Sequence, residues 1–176
     1  AMRVIDWITL TVCFWIFSAM AFAHEDHQPA TPTVAVAPPA TGTRDAKTWF
    51  TDTPLQNQNG ETLRFYSDAL DNRGGKVRAT KDLQLTVGTL DNRQKGLLDG
   101  QAAVNLSGSQ LDNRGGLLSA AGPMILGVTR IDNSTGRIAS KTDLTANVAQ
   151  FVNQDGELVA QGTLLLTGQA LDNRNA

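Results

Sequence analysis

The sequence predicts an all-β chain wound as a parallel solenoid of about five to six coils, and three observations carry that expectation. First, a triplet of the form Leu-Asp-Asn returns six times, beginning at Leu70, Leu90, Leu111, Ile131, Phe151 and Leu171. The intervals are 20, 21, 20, 20 and 20 residues, and a fixed period of this length marks a stack of like structural units. Second, counting each unit from its first residue, position 14 is apolar (Leu83, Val104, Met124, Leu144, Leu164) and so is position 16 (Leu85, Leu106, Leu126, Ala146, Leu166). Positions 8 and 10 repeat the pattern with an apolar and then a small residue, from Val77 and Ala79 to Leu158 and Ala160. A separation of two returns side chains to one face of a strand, and the helical spacing of three and four is missing. Third, turn chemistry of the type Asp-Asn-Arg-Gly-Gly separates these strands.

Taken from the amino terminus, residues 1–23 read as a signal peptide. Trp7 to Ala23 is free of charge, Arg3 precedes it, and Ala21-Phe22-Ala23 has the small-x-small form of a cleavage site. The rival is a retained short membrane anchor, for which the run is at the low end of spanning length. Cys13 departs with a cleaved signal, which leaves the mature chain no thiol for a disulfide, a metal or a nucleophile. Residues 24–43 hold Pro29, Pro32, Pro38 and Pro39 in an Ala/Thr/Val background and read as a disordered linker. Residues 44–69 read as a degenerate first coil that caps the stack: Leu55, Asn57, Gly60, Leu63 and Phe65 echo a shortened unit, and Trp49, Phe50 and Tyr66 supply bulk. The solenoid follows over 70–176, in units 70–89, 90–110, 111–130, 131–150, 151–170 and a partial 171–176. The one extra residue, in the second unit, is expected at Gln94-Lys95, inside a turn.

Asparagine is the residue common to all six triplets: Asn72, Asn92, Asn113, Asn133, Asn153 and Asn173. Coils stack about 4.8 Å apart, so an Asn at one corner of each coil is expected to pass amide hydrogen bonds to the Asn above and below. Such a ladder satisfies polar groups that otherwise cost about 1 to 3 kcal/mol each when buried unpaired. Gly75, Gly96, Gly116, Gly136 and Gly156 are the expected turn glycines, there for a left-handed backbone. Leu83, Val104, Met124, Leu144 and Leu164 are the expected core ladder.

The run Leu-Asp-Asn-Arg-Gly-Gly-x-Leu-x-Ala, followed by Leu-x-Leu and returning after 20 residues, resembles the repeats of the filamentous haemagglutinin family of large bacterial surface adhesins and contact-dependent inhibition proteins. The resemblance covers Leu70 to Arg174. It implies a right-handed parallel β-helix, export through an outer-membrane two-partner transporter, residence at the bacterial surface, and a rigid stalk or attachment surface for a receptor or glycan on a host or neighbouring cell. The chain departs from the family in lacking room for its long amino-terminal secretion domain and in carrying few repeats. A fragment of a longer adhesin, or a truncated remnant of a contact-dependent inhibition protein, is therefore a further expectation.

The remaining chemistry is sparse. With 15 basic and 17 acidic residues the net charge is −2, which gives nucleic acid or an anionic membrane no electrostatic footprint. His24 and His27 are weak metal candidates at the start of the mature chain, against the simpler reading of a solvated linker. The Asp column (Asp71, Asp91, Asp112, Asp132, Asp172) and the Arg column (Arg73, Arg93, Arg114, Arg174) are expected to neutralise each other at a wet corner, where an exposed pair contributes about 0 to 1 kcal/mol. No nucleophile–base arrangement, phosphate-binding loop or metal-ligand spacing occurs, so neither catalysis nor a cofactor is expected. A competing glycan- or small-ligand-binding module calls for exposed aromatic platforms, and from Leu70 onward the sole aromatic is Phe151.

Overall fold

The structure is a computed structural model that describes residues 62–176, together with the backbone of Ala35–Val36 and Thr43–Asp45. The expected signal peptide, His24, His27 and most of the linker and cap lie outside the described residues. In chain order the strands are β1 Ala35–Val36, β2 Thr43–Asp45, β3 Leu63–Asp71, β4 Lys76–Ala79, β5 Leu83–Asp91, β6 Leu97–Gly100, β7 Val104–Asp112 and β8 Leu117–Ala120. They continue as β9 Met124–Asp132, β10 Arg137–Ser140, β11 Leu144–Asn147, β12 Gln150–Val152, β13 Glu157–Ala160, β14 Leu164–Thr167 and β15 Ala170–Asp172. No helix occurs among the described residues.

Every strand pairing among the described residues is parallel, and from β3 onward each joins equivalent positions of successive coils. One sheet runs β3-β5-β7-β9, then β11 with β12, then β14 with β15. The other runs β4-β6-β8-β10-β13. Register follows the sequence period: Leu83 faces Val104, Val104 faces Met124, Met124 faces Leu144 and Leu144 faces Leu164. The chain is thus a parallel β-solenoid with six layers in its long sheet.

The first layer starts before Leu70. Leu63 and Phe65 of β3 stand in the columns of Leu83 and Leu85. β1 and β2 then lie along the outer edge of β3, with Ala35 opposite Leu63 and Asp45 opposite Asp71. β1 and the first residue of β2 thus fall in the segment read as linker, and the rest of β2 in the segment read as cap.

Burial alternates as the pattern requires. Leu83, Val104, Met124 and Leu144 are at most 1% exposed, while Leu164, in the last layer, is 45% exposed. Apolar columns at positions 1, 8, 14 and 16 fill the space between the two sheets, and burial of such side chains contributes about 1.5 to 3 kcal/mol each. The long strands also pass through positions that alternation alone left as turn. β5 extends beyond Leu83–Val87 to Asp91, because Leu90 is inward-facing and 1% exposed. At position 18 the inward side chain is Val87, Val128 or Val148, but Gly108 and Gly168 replace it in two coils. A Cβ at Gly108 would stand 1.8 Å from the Val87 carbonyl oxygen, so the backbone there approaches the preceding coil too closely for any side chain.

Candidate functional site: the asparagine corner and the open faces

The corner after each long strand brings the six asparagines into one column. Asn72 Nδ2 donates to Asn92 Oδ1 at 2.6 Å, Asn92 to Asn113 at 2.7 Å, Asn113 to Asn133 at 2.7 Å, Asn133 to Asn153 at 2.7 Å, and Asn153 to Asn173 at 2.8 Å. Each of the first four amides spends its second proton on a backbone carbonyl of the next coil: Leu97, Leu117, Arg137 and Glu157 respectively, at 2.9 to 3.1 Å. Those carbonyls fix the orientation, because a flipped amide would set oxygen against oxygen. Every Nδ2 therefore points toward the carboxyl end and every Oδ1 toward the amino end. At the start of the column Asn72 Oδ1 is buried and has no hydrogen-bond partner among the described residues. At the other end Asn173 is exposed, and its Nδ2 meets no acceptor among the described residues.

The corner glycines divide into two kinds. Left-handed backbone falls at position 5, on Gly74 and Gly115 but also on Thr135, Asp155 and Asn175, with φ between 52° and 66°. Position 6 does not have that conformation; it is glycine because there is no room. A Cβ on Gly116 would lie 2.1 Å from the Asn92 carbonyl oxygen, and one on Gly136 2.1 Å from that of Asn113. Gly75, Gly96 and Gly156 meet the same obstruction, from asparagine oxygens of their own or the preceding coil at 2.2 to 2.6 Å. The ladder thus fixes a close approach, and the close approach fixes glycine. In the second unit both Gln94 and Lys95 are left-handed (φ 55° and 63°). The extra residue of that coil is absorbed there, since Asn72 and Asn92 remain in register while Lys76 already faces Leu97.

Outside the Asn column runs the charged one. Arg73 grips Asp71 with Nε and Nη2 at 2.9 and 2.6 Å, and the same two-pronged contact recurs at Arg93–Asp91, Arg114–Asp112 and Arg174–Asp172. Arg73, Arg93 and Arg114 also approach the Asp of the next coil at 3.6 to 4.0 Å. Ser134 takes the Arg place in the fourth unit and donates to Asp132 at 2.7 Å; Gln154 takes it in the fifth and donates to Asp172 at 2.8 Å. Partial burial pushes the Asp112 carboxyl up, but hydrogen bonds from the Arg114 side chain and backbone outweigh it and hold the group below the usual range. Asp172 is held down at about 2 by the Arg174 and Gln154 hydrogen bonds. Arg114 is raised by its bond to Asp112. Four of the five column carboxylates are held by an arginine two residues on, Asp132 being held by Ser134 instead, and no group of three His, Cys, Asp or Glu side chains suited to a metal occurs among the described residues.

Concave surfaces occur on two further parts of the described structure. On the outer face of the short sheet a trough of about 270 Å³ runs over Ser119, Ala139 and Val159, flanked by Leu117, Arg137 and Lys141. At its amino-terminal end Asp99, 7% exposed, accepts from Arg78 at 3.1 Å, Gln101 at 2.5 Å and Ser119 at 2.5 Å. This cluster was missed in the sequence, although Asp99 is the one acid at position 9. The second surface is the carboxyl-terminal face, a cavity of about 400 Å³ among Phe151, Leu158, Leu164, Leu166 and Leu171. Phe151 itself is 2% exposed, and Tyr66 at 38% is the exposed aromatic among the described residues.

The haemagglutinin repeat family model matches residues 41–126 and 125–176. No curated protein matches the chain, and no solved structure does.

Proposed function

The chain belongs to the haemagglutinin repeat family, and from that premise we propose that it is a structural, adhesive segment of a secreted bacterial surface protein. In this reading the solenoid is a rigid stalk or attachment surface that performs no turnover. The observation that carries it is the uninterrupted in-register stack, with one backbone pairing continuing from coil to coil and one polar ladder at its corner. Apolar ladders and continuous hydrogen bonding leave few places for local opening, which suits a spacer exposed to proteases and shear. Outward positions are mostly polar, with Ile125 and Leu165 among the exposed aliphatic exceptions, and four of the five corner aspartates pair with an arginine. Its partner is a receptor or glycan on a host or neighbouring cell, and its route outward is an outer-membrane two-partner transporter. The glycan-module alternative draws little support, since Tyr66 is the sole exposed ring among the described residues.

A direct test inserts an epitope at Gln94-Lys95, where the turn already absorbs an extra residue, and labels intact producing cells. Labelling at the surface, lost on protease shaving, together with retention of chain-coated beads on target cells, is the expected result. An epitope reached only after cell lysis, or beads no stickier than uncoated ones, would count against the assignment.

A further inference from the structure

The outer face of the short sheet is concave where the repeat turns small. Its outward position 9 reads Arg78, Asp99, Ser119, Ala139, Val159 along the stack. Leu117 and Arg137 stand on one side of the small residues, Lys141 and Gln161 on the other, and the trough of about 270 Å³ lies between them. That volume is close to the lower end of small-molecule sites, about 300 Å³. We propose that the trough binds a carboxylated sugar, a uronate or a sialate, with the acid group between Arg137 and Lys141 and the hydroxyls toward Ser119 and Asp99.

Charge selects the acid group. Arg78 offsets Asp99 at 3.1 Å, and Glu157 offsets Arg137 at 2.6 Å. Lys141 is exposed and is left as the uncompensated charge among the residues lining the trough. Arg137 gives Glu157 a single nitrogen, Nη1, so further N–H groups of its fork remain for a second carboxylate. Two coils, about 9.6 Å, separate the two cations from Asp99, which is longer than one sugar ring and suits an oligosaccharide.

The sheet itself selects a sugar over a peptide. β8 pairs with β6 and β10, and β10 pairs with β8 and β13. The floor therefore has no open backbone edge onto which a peptide strand could add. It offers side chains alone: the amides of Gln101 and Gln161, the Ser119 hydroxyl, the Asp99 carboxylate and the two cations. Such a set matches a ligand that carries polar groups along its whole length. An acidic sugar also needs no aromatic platform, because charge-assisted hydrogen bonds supply the grip.

This site deepens the adhesive reading and rests on it. Ligand binding is read on the purified chain and adhesion on cells, so either can fail while the other stands. Calorimetric titration of the full chain with trigalacturonate, and in parallel with trisialic acid, is the test. At least one acidic trimer should bind, at least tenfold more tightly than the same trimer with its carboxyl groups reduced to alcohols; the tighter of the two names the acid. Lys141→Glu and Ala139→Phe, which fills the floor, should each weaken binding about tenfold or more. Lys95→Glu makes the same charge change at an exposed turn outside the trough and should leave binding unaltered. A circular dichroism spectrum matching the parent shows that each variant is folded. Binding of neither trimer overturns the proposal, as does equal binding of the reduced form or an equal loss from Lys95→Glu. A triaspartate peptide that binds as tightly as the sugar overturns it too, since the trough then reads charge alone.

Discussion

At the scale of single residues the corner depends on a few atoms that have no substitute. Asn113 accepts from Asn92, donates to Asn133 and donates again to the Arg137 carbonyl. Asn113→Ala strands all three of those partners in a buried place, and a loss of about 3 to 5 kcal/mol in denaturant unfolding is expected. The neighbouring Gly115 and Gly116 separate two reasons for glycine. Gly115 has φ +66° and open space around its missing Cβ, so Gly115→Ala should cost about 1 to 2 kcal/mol. Gly116 has an ordinary backbone but a carbonyl oxygen 2.1 Å from where a Cβ would sit, so Gly116→Ala should cost about 3 kcal/mol or more. Equal losses from the two substitutions in parallel thermal melts would contradict this division. The sequence held the asparagines and the glycines in plain view but not the reason for the latter. Proximity to the preceding coil is a tertiary fact, which a local turn rule assigns to backbone handedness instead.

At the scale of elements the strands obey alternation, and their ends do not. Positions 14 and 16 were legible because Leu83, Val104, Met124 and Leu144 share one column and one face. The extension of β5 to Asp91 was not, because Gly88 and Thr89 look like turn residues until the neighbouring coil supplies their pairing partners. Met124 sits between two coils with 1% exposure. Met124→Lys should therefore abolish cooperative unfolding, since neither coil can solvate a charge there. The charged corner makes a weaker, pH-dependent contribution. Asp172 falls from 3.8 to about 2 on folding, and Asp112 falls as well. A depressed carboxylate stabilises the fold above its unfolded pKa and loses that contribution as pH drops through the folded one. The melting temperature should accordingly change little from pH 7 to about 5 and decline between about pH 4 and 2. A drop beginning above pH 6 would point to other groups.

At the scale of the whole molecule, the period of the triplets was enough to state the fold, because each coil repeats the same demands on its neighbours and errors in one unit are outvoted by the rest. What the period could not give was the amino-terminal edge, where short strands from a proline-bearing segment pair with β3 without any repeat of their own. Nor could it give the trough beside Asp99, which depends on how Arg78, Gln101 and Ser119 from three successive coils meet. Stability in such a stack is close to a sum of coil and interface contributions, so damage at one layer should be felt most by its two neighbours.

Successive coils stand in parallel register, shifted by 21 residues where the turn at Gln94-Lys95 intervenes. Disulfide trapping measures it most directly. Thr86 and Ser107 face outward as Cα partners, and adjacent strands about 4.8 Å apart fall inside the Cα separation a disulfide spans. In a Cys13→Ser background, Thr86→Cys with Ser107→Cys should form an intramolecular bond on mild oxidation, seen by mass spectrometry of the non-reduced digest. Thr86→Cys with Asn105→Cys, one repeat of the outward face out of register, should remain largely reduced. A bond in the second pair and none in the first would contradict the register and, with it, the continuous ladder on which the account rests.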